Sequence, residues 1–182
     1  KPPQDFPIAI HNVEPADIDL TDINGVMKKI SKKQTKYNTV SLTQVIENGI
    51  WAIESEFYCS QYDGYGAIGI TPDSFNIPAG QYPGVQQSWG TSTVYCRNGT
   101  GISGNTAFRN NQIVRLEVDS EKGTLILFVQ GVQQPVYISG IREKVRFIIC
   151  MYHAGSTCNI RSLKKISAPT SGNVANEKPI QW

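Results

Sequence analysis

Histidine is almost missing from this sequence: only His11 and His153 occur. A nucleophilic triad needs a Ser or Cys held by a His and a carboxylate. Here His153 falls in an expected turn and His11 in an N-terminal stretch without motifs, and no Gly-x-Ser-x-Gly elbow occurs. The glycines of Gly64-Tyr65-Gly66 and Gly99-Thr100-Gly101 are not followed by Gly-Lys-Ser/Thr, so no phosphate loop is present. No catalytic role and no small-molecule substrate are expected. Metal-binding patterns are scarce as well. Asp17, Asp19 and Asp22 copy part of a calcium loop, but the Gly and terminal Glu of an EF-hand are not in place. They read as a solvated or capping acidic turn, and neither metal nor cofactor is expected.

Cysteine is limited to Cys59, Cys96, Cys150 and Cys158, with no Cys-x-x-Cys pair. That spacing excludes a zinc finger or thioredoxin-like motif. Cys59, Cys96 and Cys150 lie in or beside apolar stretches, where a reduced cysteine packs as a small hydrophobe. The segment Cys150–Cys158 reads as a hairpin turning near Ala154-Gly155, which would set those two sulfurs roughly opposite each other. All four are expected as free thiols, with Cys150 and Cys158 the one pair near enough to bond. No apolar run approaches the roughly 18 residues of a transmembrane helix. The opening Lys1–Ile10 carries three prolines and an Asp, unlike a signal peptide. These features predict a cytoplasmic protein, with nuclear entry left open by a basic run at Lys28–Lys36. The chain begins without Met, as a processed or trimmed chain or a piece of a larger protein would.

Charge of one sign is not in excess: 17 basic against 15 acidic residues leave a net +2. That predicts no general affinity for nucleic acid or membrane. The distribution is uneven. Residues 1–24 carry Lys1 against Asp5, Glu14, Asp17, Asp19 and Asp22; residues 25–40 carry Lys28, Lys29, Lys32, Lys33 and Lys36 with no acid. The basic run reads as a solvated strand face or loop in preference to a phosphate-binding stripe.

What remains is an ordinary globular composition. The 182 residues are 40% hydrophobic and 18% charged, too apolar for a disordered chain. They suffice for about one domain that buries about 70% of its unfolded surface. Helical periodicity is nearly absent; Leu42–Asn48 is the best candidate for a helical turn and suits a strand and turn equally. Strand alternation dominates. Trp51, Ile53, Ser55, Phe57 and Cys59 would share one face, and Ala52, Glu54, Glu56 and Tyr58 the other. Val114, Leu116 and Val118 would point inward, with Ile113, Arg115, Glu117 and Asp119 outward. Thr124–Val129 is apolar on both faces. Val145, Phe147, Ile149 and Met151 form another inward set, and Ile160 with Leu163–Ile166 closes the series. Turn pairs such as Asn48-Gly49, Asp63-Gly64, Lys122-Gly123, Gln130-Gly131 and Ser139-Gly140 separate these runs. The pattern predicts an all-β fold, a two-sheet antiparallel β-sandwich.

The order of these motifs resembles a SPRY domain over residues 48–166. Gly49-Ile50-Trp51-Ala52-Ile53-Glu54 resembles the family's Gly-x-x-Trp-x-aliphatic strand. Ala67-Ile68-Gly69-Ile70 resembles its aliphatic-Gly-aliphatic strand, and Ser88-Trp89 with Val94-Tyr95 its middle strands. Phe108 and Ile113-Val114 lead into Leu116-Glu117-Val118-Asp119 as in the family. Gly123–Gly131 resembles the Gly-Thr-Leu-x-Phe-x-x-Asn-Gly hairpin, the most specific match. The sequence departs from the pattern at Asn111, where a Gly-Asp pair is usual, at Leu127 for an aromatic, and at Gln130 for Asn. The resemblance implies two twisted antiparallel sheets in a concanavalin-type jelly roll, and a non-enzymatic module that binds peptides or protein surfaces through loops at one edge. Residues 1–47 match nothing in the family and are expected as an N-terminal leader partly packed on the sandwich. Residues 167–182 read as a C-terminal tail or linker, with Ile180 and Trp182 as docking points.

Aromatic side chains on glycine-rich loops supply the candidate site. Tyr62, Asp63 and Tyr65 lie between two strand patterns; Tyr82 belongs to the next loop, Arg97 and Asn98 to a third, and Trp89 either fills the core or joins them. Asn98-Gly99-Thr100 is also a glycosylation sequon, read here as an ordinary turn. Rigid amphipathic rings bury area at little entropic cost. The expected partner is a protein or short peptide with an apolar anchor and a polar flank, and the SPRY resemblance implies a setting in a scaffold or ubiquitin-ligase adaptor. One rival is a permanent structural subunit of a large assembly such as a cytoskeletal array. The other is a lectin-like carbohydrate-binding domain. A galectin-like site needs His-x-Asn-x-Arg and Trp-x-x-Glu-Arg; Trp51-Ala52-Ile53-Glu54 is followed by Ser55 where that Arg would stand.

Overall fold

The computed structural model of the chain describes residues 1–80, 93–95 and 100–182, together with the backbone of 86–89. The described residues contain no helix. Leu42–Asn48 is the end of a strand, a bend and one isolated bridge from Ile46 to Val145. The strands are β1 (Gln4–Asp5), β2 (Ile10–Asn12), β3 (Ile18–Ile23), β4 (Met27–Lys32), β5 (Asn38–Leu42), β6 (Ile50–Tyr58), β7 (Ala67–Pro72), β8 (Gln86–Trp89) and β9 (Thr93–Tyr95). They continue as β10 (Gly101–Ser103), β11 (Ile113–Asp119), β12 (Thr124–Val129), β13 (Val132–Gln133), β14 (Val136–Ser139), β15 (Val145–Met151), β16 (Thr157–Ile166) and β17 (Lys178–Gln181).

Two sheets form. One runs β17-β14-β12-β11-β6-β16-β4-β3, with β1 added to β16 and β13 to β12; the other runs β10-β9-β8-β7-β15-β5-β2. Among the described residues, every ladder is antiparallel except β14 with β17. Residues 1–47 supply five of these strands, and β4 and β5 each lie inside a sheet.

The alternating sets explain the register. Leu116 stands opposite Ile53 on one side and Leu127 on the other. In the facing sheet Ile149 stands between Ile68 and Val40. Trp51, Ile53, Phe57, Val114, Leu116, Val118, Leu125 and Leu127 are all buried against Val40, Leu42, Ile68, Ile70, Phe147 and Ile149. Side chains alternate across a strand, so one inward set per strand fills the space between the sheets.

Three expectations need correction. First, β15 and β16 do not form a hairpin. The turn at 152–156 carries the chain from one sheet to the other, so Cys158 lies in the central core and Cys150 on the outer side of its sheet with Ala67. The two thiols do not face each other. Cys59, Cys150 and Cys158 are free and buried, as expected. Second, Glu117 and Asp119 do point outward but are buried, at 2% and 6% exposure. Asp119 caps its own turn by accepting the Glu121 and Lys122 N–H groups, and Glu117 lies beneath Thr170 and Ser171.

Third, the opposed charge blocks neutralise each other across the β3–β4 hairpin. Asp22 pairs with Lys28 at 3.3 Å, Asp19 with Lys33 at 3.0 Å and Asp17 with Lys36 at 2.6 Å. Lys32, expected on a solvated face, is buried. This hairpin turns at Asn24-Gly25, both at positive φ, an Asn-Gly signal that marks a tight turn. The stretch 167–182 docks at its end through Ile180 and Trp182, the two residues expected to do so. β17 runs parallel to β14, Ile180 is buried, and the Trp182 indole N–H donates to Glu143 at 2.8 Å.

Candidate docking site

Three connections meet at one end of the sandwich: residues 33–37 before β5, 59–66 between β6 and β7, and 152–156 after β15. Their meeting follows from the ladders, since β15 pairs with both β5 and β7. Met151 stands opposite Asn38 and Cys150 opposite Ala67, which places Tyr152, Tyr37 and Tyr65 side by side.

The rings form a continuous cluster. Tyr37 lies 4.7 Å from Tyr152 between centroids, and Tyr152 lies 5.0 Å from His153. His153 lies 4.8 Å from Tyr65 and 4.9 Å from Tyr62, and the last two are 5.7 Å apart. Centroid separations and tilted or edge contacts of this kind are the favoured arrangements for aromatic pairs. Tyr62 is 56% exposed. Tyr37, Tyr65, Tyr152 and His153 are half-buried. Beneath them, Tyr37, Tyr65 and Tyr95 pack on Ala67 and Cys150. Burial and a hydrogen bond with Tyr37 push the Tyr65 phenol up from its ordinary range, and burial pushes the Cys150 thiol up to about 12.

Backbone hydrogen bonds fix each loop. Asp63 accepts the Asn110 N–H at 2.7 Å and the Arg109 guanidinium at 2.9 Å. The Asn110 N–H, then Arg109, holds the Asp63 carboxyl below the usual carboxylate range. Asn110 in turn accepts the N–H groups of Cys59 and Gly64, each at 2.9 Å, and donates to the Cys59 carbonyl. Gly64 has φ of 74°, and a Cβ there would land on the Phe108 carbonyl and 2.8 Å from Arg109 Cα. The 152–156 turn is tied to the 33–37 connection: Ala154 N–H donates to Thr35 Oγ1 at 3.0 Å and Lys36 N–H to the Tyr152 carbonyl at 3.0 Å.

A charged flank adjoins the rings. Lys36 Nζ bridges Glu14 and Asp17, at 3.1 Å and 2.6 Å. Asn38 donates to Glu14 at 2.5 Å, and Gly80 N–H donates to Glu14 at 2.8 Å. Burial pushes Glu14 up, but the bonds from Gly80, Asn38 and Lys36 more than offset it and hold it low. The Lys36 hydrogen bond lowers Asp17, and that with Asp17 raises Lys36. Lys32 is buried behind this flank and donates to the Lys36 carbonyl at 2.7 Å. Burial lowers its ammonium to about 8. Among the described residues, no three or more His, Cys, Asp or Glu side chains gather to hold a metal ion.

No protein-family model and no curated protein matches the sequence. Solved structures do match the shape. The SPRY domain of human HERC1 has a TM-score of 0.59 at 10% identity, over 81% of this chain and 96% of that one. The fold is that of SPRY domains. The TRIM65 PSpry domain gives 0.58 at 9% identity, over 79% of this chain and 88% of that one. A peanut lectin with a nine-residue peptide gives 0.51 at 14% identity, over 86% and 90%.

On this SPRY fold, Tyr62 and Tyr65 are brought together, but only Tyr62 is largely exposed; Tyr65 is half-buried because its ring covers Cys150 and Ala67. Asp63 sits between them and is engaged in holding the loop to Arg109 and Asn110. Tyr82, Arg97 and Asn98 lie outside the described residues. Trp89 ends β8 opposite Ala67 by its backbone, and its side chain lies outside the description. Tyr37, Tyr152 and His153 were not legible as site residues. Tyr37 stood in a basic run, and Tyr152-His153 in what looked like a hairpin turn.

Proposed function

We propose that the domain binds a short segment of another protein on the ring cluster at the 33–37, 59–66 and 152–156 end. Tyr62 is the exposed anchor, Tyr37, Tyr65, Tyr152 and His153 form the floor, and the Lys36–Glu14–Asp17 network is the polar flank. The observation that carries this reading is the Tyr62 ring. It is 56% exposed yet held against His153 and Tyr65. A large ring pre-ordered at the surface loses little conformational entropy on binding. The likeness to SPRY domains supports a binding role. A scaffold or ubiquitin-ligase adaptor in the cytoplasm or nucleus is the setting we infer for it.

The test is capture from native cell extract by the wild-type domain and by Tyr62→Ala, at low and high salt. Loss of a partner by about tenfold with unchanged thermal stability supports the site, since one such anchor is worth over about 1 kcal/mol. Capture that is independent of Tyr62 but stoichiometric at high salt would point to a permanent subunit of an assembly. The lectin likeness favours a second reading, in which the same rings stack on a sugar face; the lectin UEA-II, in a complex with galactose, shares the fold at a TM-score of 0.55. Binding to a glycan array, lost in Tyr62→Ala, would establish that reading instead.

A further inference from the structure

The outer face of the larger sheet carries a buried carboxylate that is satisfied by the chain's own last residues. Glu117, in the middle strand β11, is 2% exposed. It accepts the Thr170 N–H at 3.0 Å and the Thr170 hydroxyl at 2.7 Å on Oε1, and the Ser171 hydroxyl at 2.8 Å on Oε2. Arg115 engages the same side as Thr170: it lies 3.4 Å from Oε1, donates to the Thr170 hydroxyl and stacks over Phe128. One residue on, Gly172 exchanges two hydrogen bonds with the Gln133 amide, at 2.9 Å and 2.7 Å. Residues 170–172 thus form a strap across β11 and β13, ahead of β17. Burial pushes Glu117 up, but the bonds from Thr170 and Ser171 more than offset it and keep it ionised.

We propose that phosphorylation of Ser171 lifts this strap off the sheet. Residues 167–170 and 172–173 are exposed, and Ser171 is half-buried between them in a stretch without ladder bonds, so a modest opening presents it as an extended segment. A protein kinase would supply the group from ATP. The bond from the γ-phosphorus to the β–γ bridging oxygen breaks, the Ser171 Oγ–phosphorus bond forms, the hydroxyl proton passes to the kinase's base, and ADP leaves. The hydroxyl that donated to Glu117 is then a phosphate ester with about two negative charges. It stands where a carboxylate oxygen lay 2.8 Å away. Two like charges cannot share that buried position, so the segment leaves and uncovers Arg115, Glu117 and Phe128.

Phosphoserine installed at 171 in the full chain tests this by amide hydrogen exchange. The Thr170 and Gly172 amides should exchange at least tenfold faster than in the unmodified protein, with the β11 ladder amides unchanged. In the Glu117→Gln background the same phosphate should accelerate them less than threefold. Ser171→Ala, which removes the hydroxyl without adding charge, should also accelerate them less than threefold, which keeps the test open if Glu117→Gln fails to fold. Unchanged exchange in the phosphoserine protein overturns the proposal. So does equal acceleration in the Glu117→Gln protein or by Ser171→Ala.

Discussion

The ring of Tyr62 rests 4.9 Å from the ring of His153, centroid to centroid, although one lies in the β6–β7 connection and the other after β15. The contact couples the exposed anchor to its floor. His153→Ala should therefore weaken capture of the partner, and the Tyr62→Ala, His153→Ala double variant should lose less than the sum of the two single losses. Residues in direct contact commonly show such couplings, of about 0.5–3 kcal/mol. Titrating the partner against all four proteins measures the coupling. Strictly additive losses would mean that the two rings act independently.

Leu116 tests the core. It is fully buried between Ile53 and Leu127, so Leu116→Ala should cost about 2–5 kcal/mol. Urea unfolding of the two proteins, with unchanged slope, reads the difference directly. A cost under about 1 kcal/mol would contradict this packing.

Gly64 tests the loop. Its positive φ and the crowding of any Cβ against Phe108 and Arg109 mean that Gly64→Ala must displace the 59–66 connection. The expected result is lower stability together with lost partner capture, because Tyr62 and Tyr65 move with the loop. A variant with wild-type melting and capture would refute that rigidity.

Thiol chemistry tests the sheet assignment of the cysteines. Cys59, Cys150 and Cys158 are free and buried. Alkylation without reductant should label all three in denaturant and be slow for each in the folded protein. Burial raises the Cys150 and Cys158 thiols, which removes the reactive thiolate. A mass that shows Cys150 bonded to Cys158 would be incompatible with their placement in opposite sheets.

Lys32 predicts a pH dependence. Its folded value of about 8 lies below the ordinary 10.5. Between those values the unfolded chain binds more protons at this site than the folded one does, so its contribution to stability rises with pH. Lys32→Met should abolish that rise. Chemical unfolding at intervals from pH 8 to 10.5 checks it, and identical slopes for the two proteins would show that Lys32 titrates normally.

The parts of the fold written in period-two patterns were legible. β6, β11 and β15 each declare an inward set, β12 reads as a run apolar on both faces, and the sandwich follows from them. What failed was whatever depended on distant pairing. A turn that crosses between sheets looks locally like a hairpin, so Cys150 and Cys158 were expected to face each other. Glu117 alternates as a solvent residue would, and nothing near it announces that Thr170 and Ser171 will cover it. The site divides the same way. Tyr62 and Tyr65 were visible as rings on one glycine-rich loop, whereas Tyr37, Tyr152 and His153 join them only through the pairing of β15 with β5 and β7.

That pairing also bears on how the chain acquires its shape during synthesis. β4 finds its second neighbour only in β16, and β5 only in β15. At ribosomal rates of about 5–20 residues per second, both strands wait roughly 5–25 s with an unpaired edge, β5 until the chain past residue 145 emerges and β4 until the chain past residue 157 does. Long-range β pairing is intrinsically slow and exposed to aggregation. The opposed charges of the β3–β4 hairpin gain a role in that interval. Asp19, Asp22, Lys28 and Lys33 lie on a two-stranded piece that can close early, and charged side chains discourage its open edge from pairing with another nascent chain.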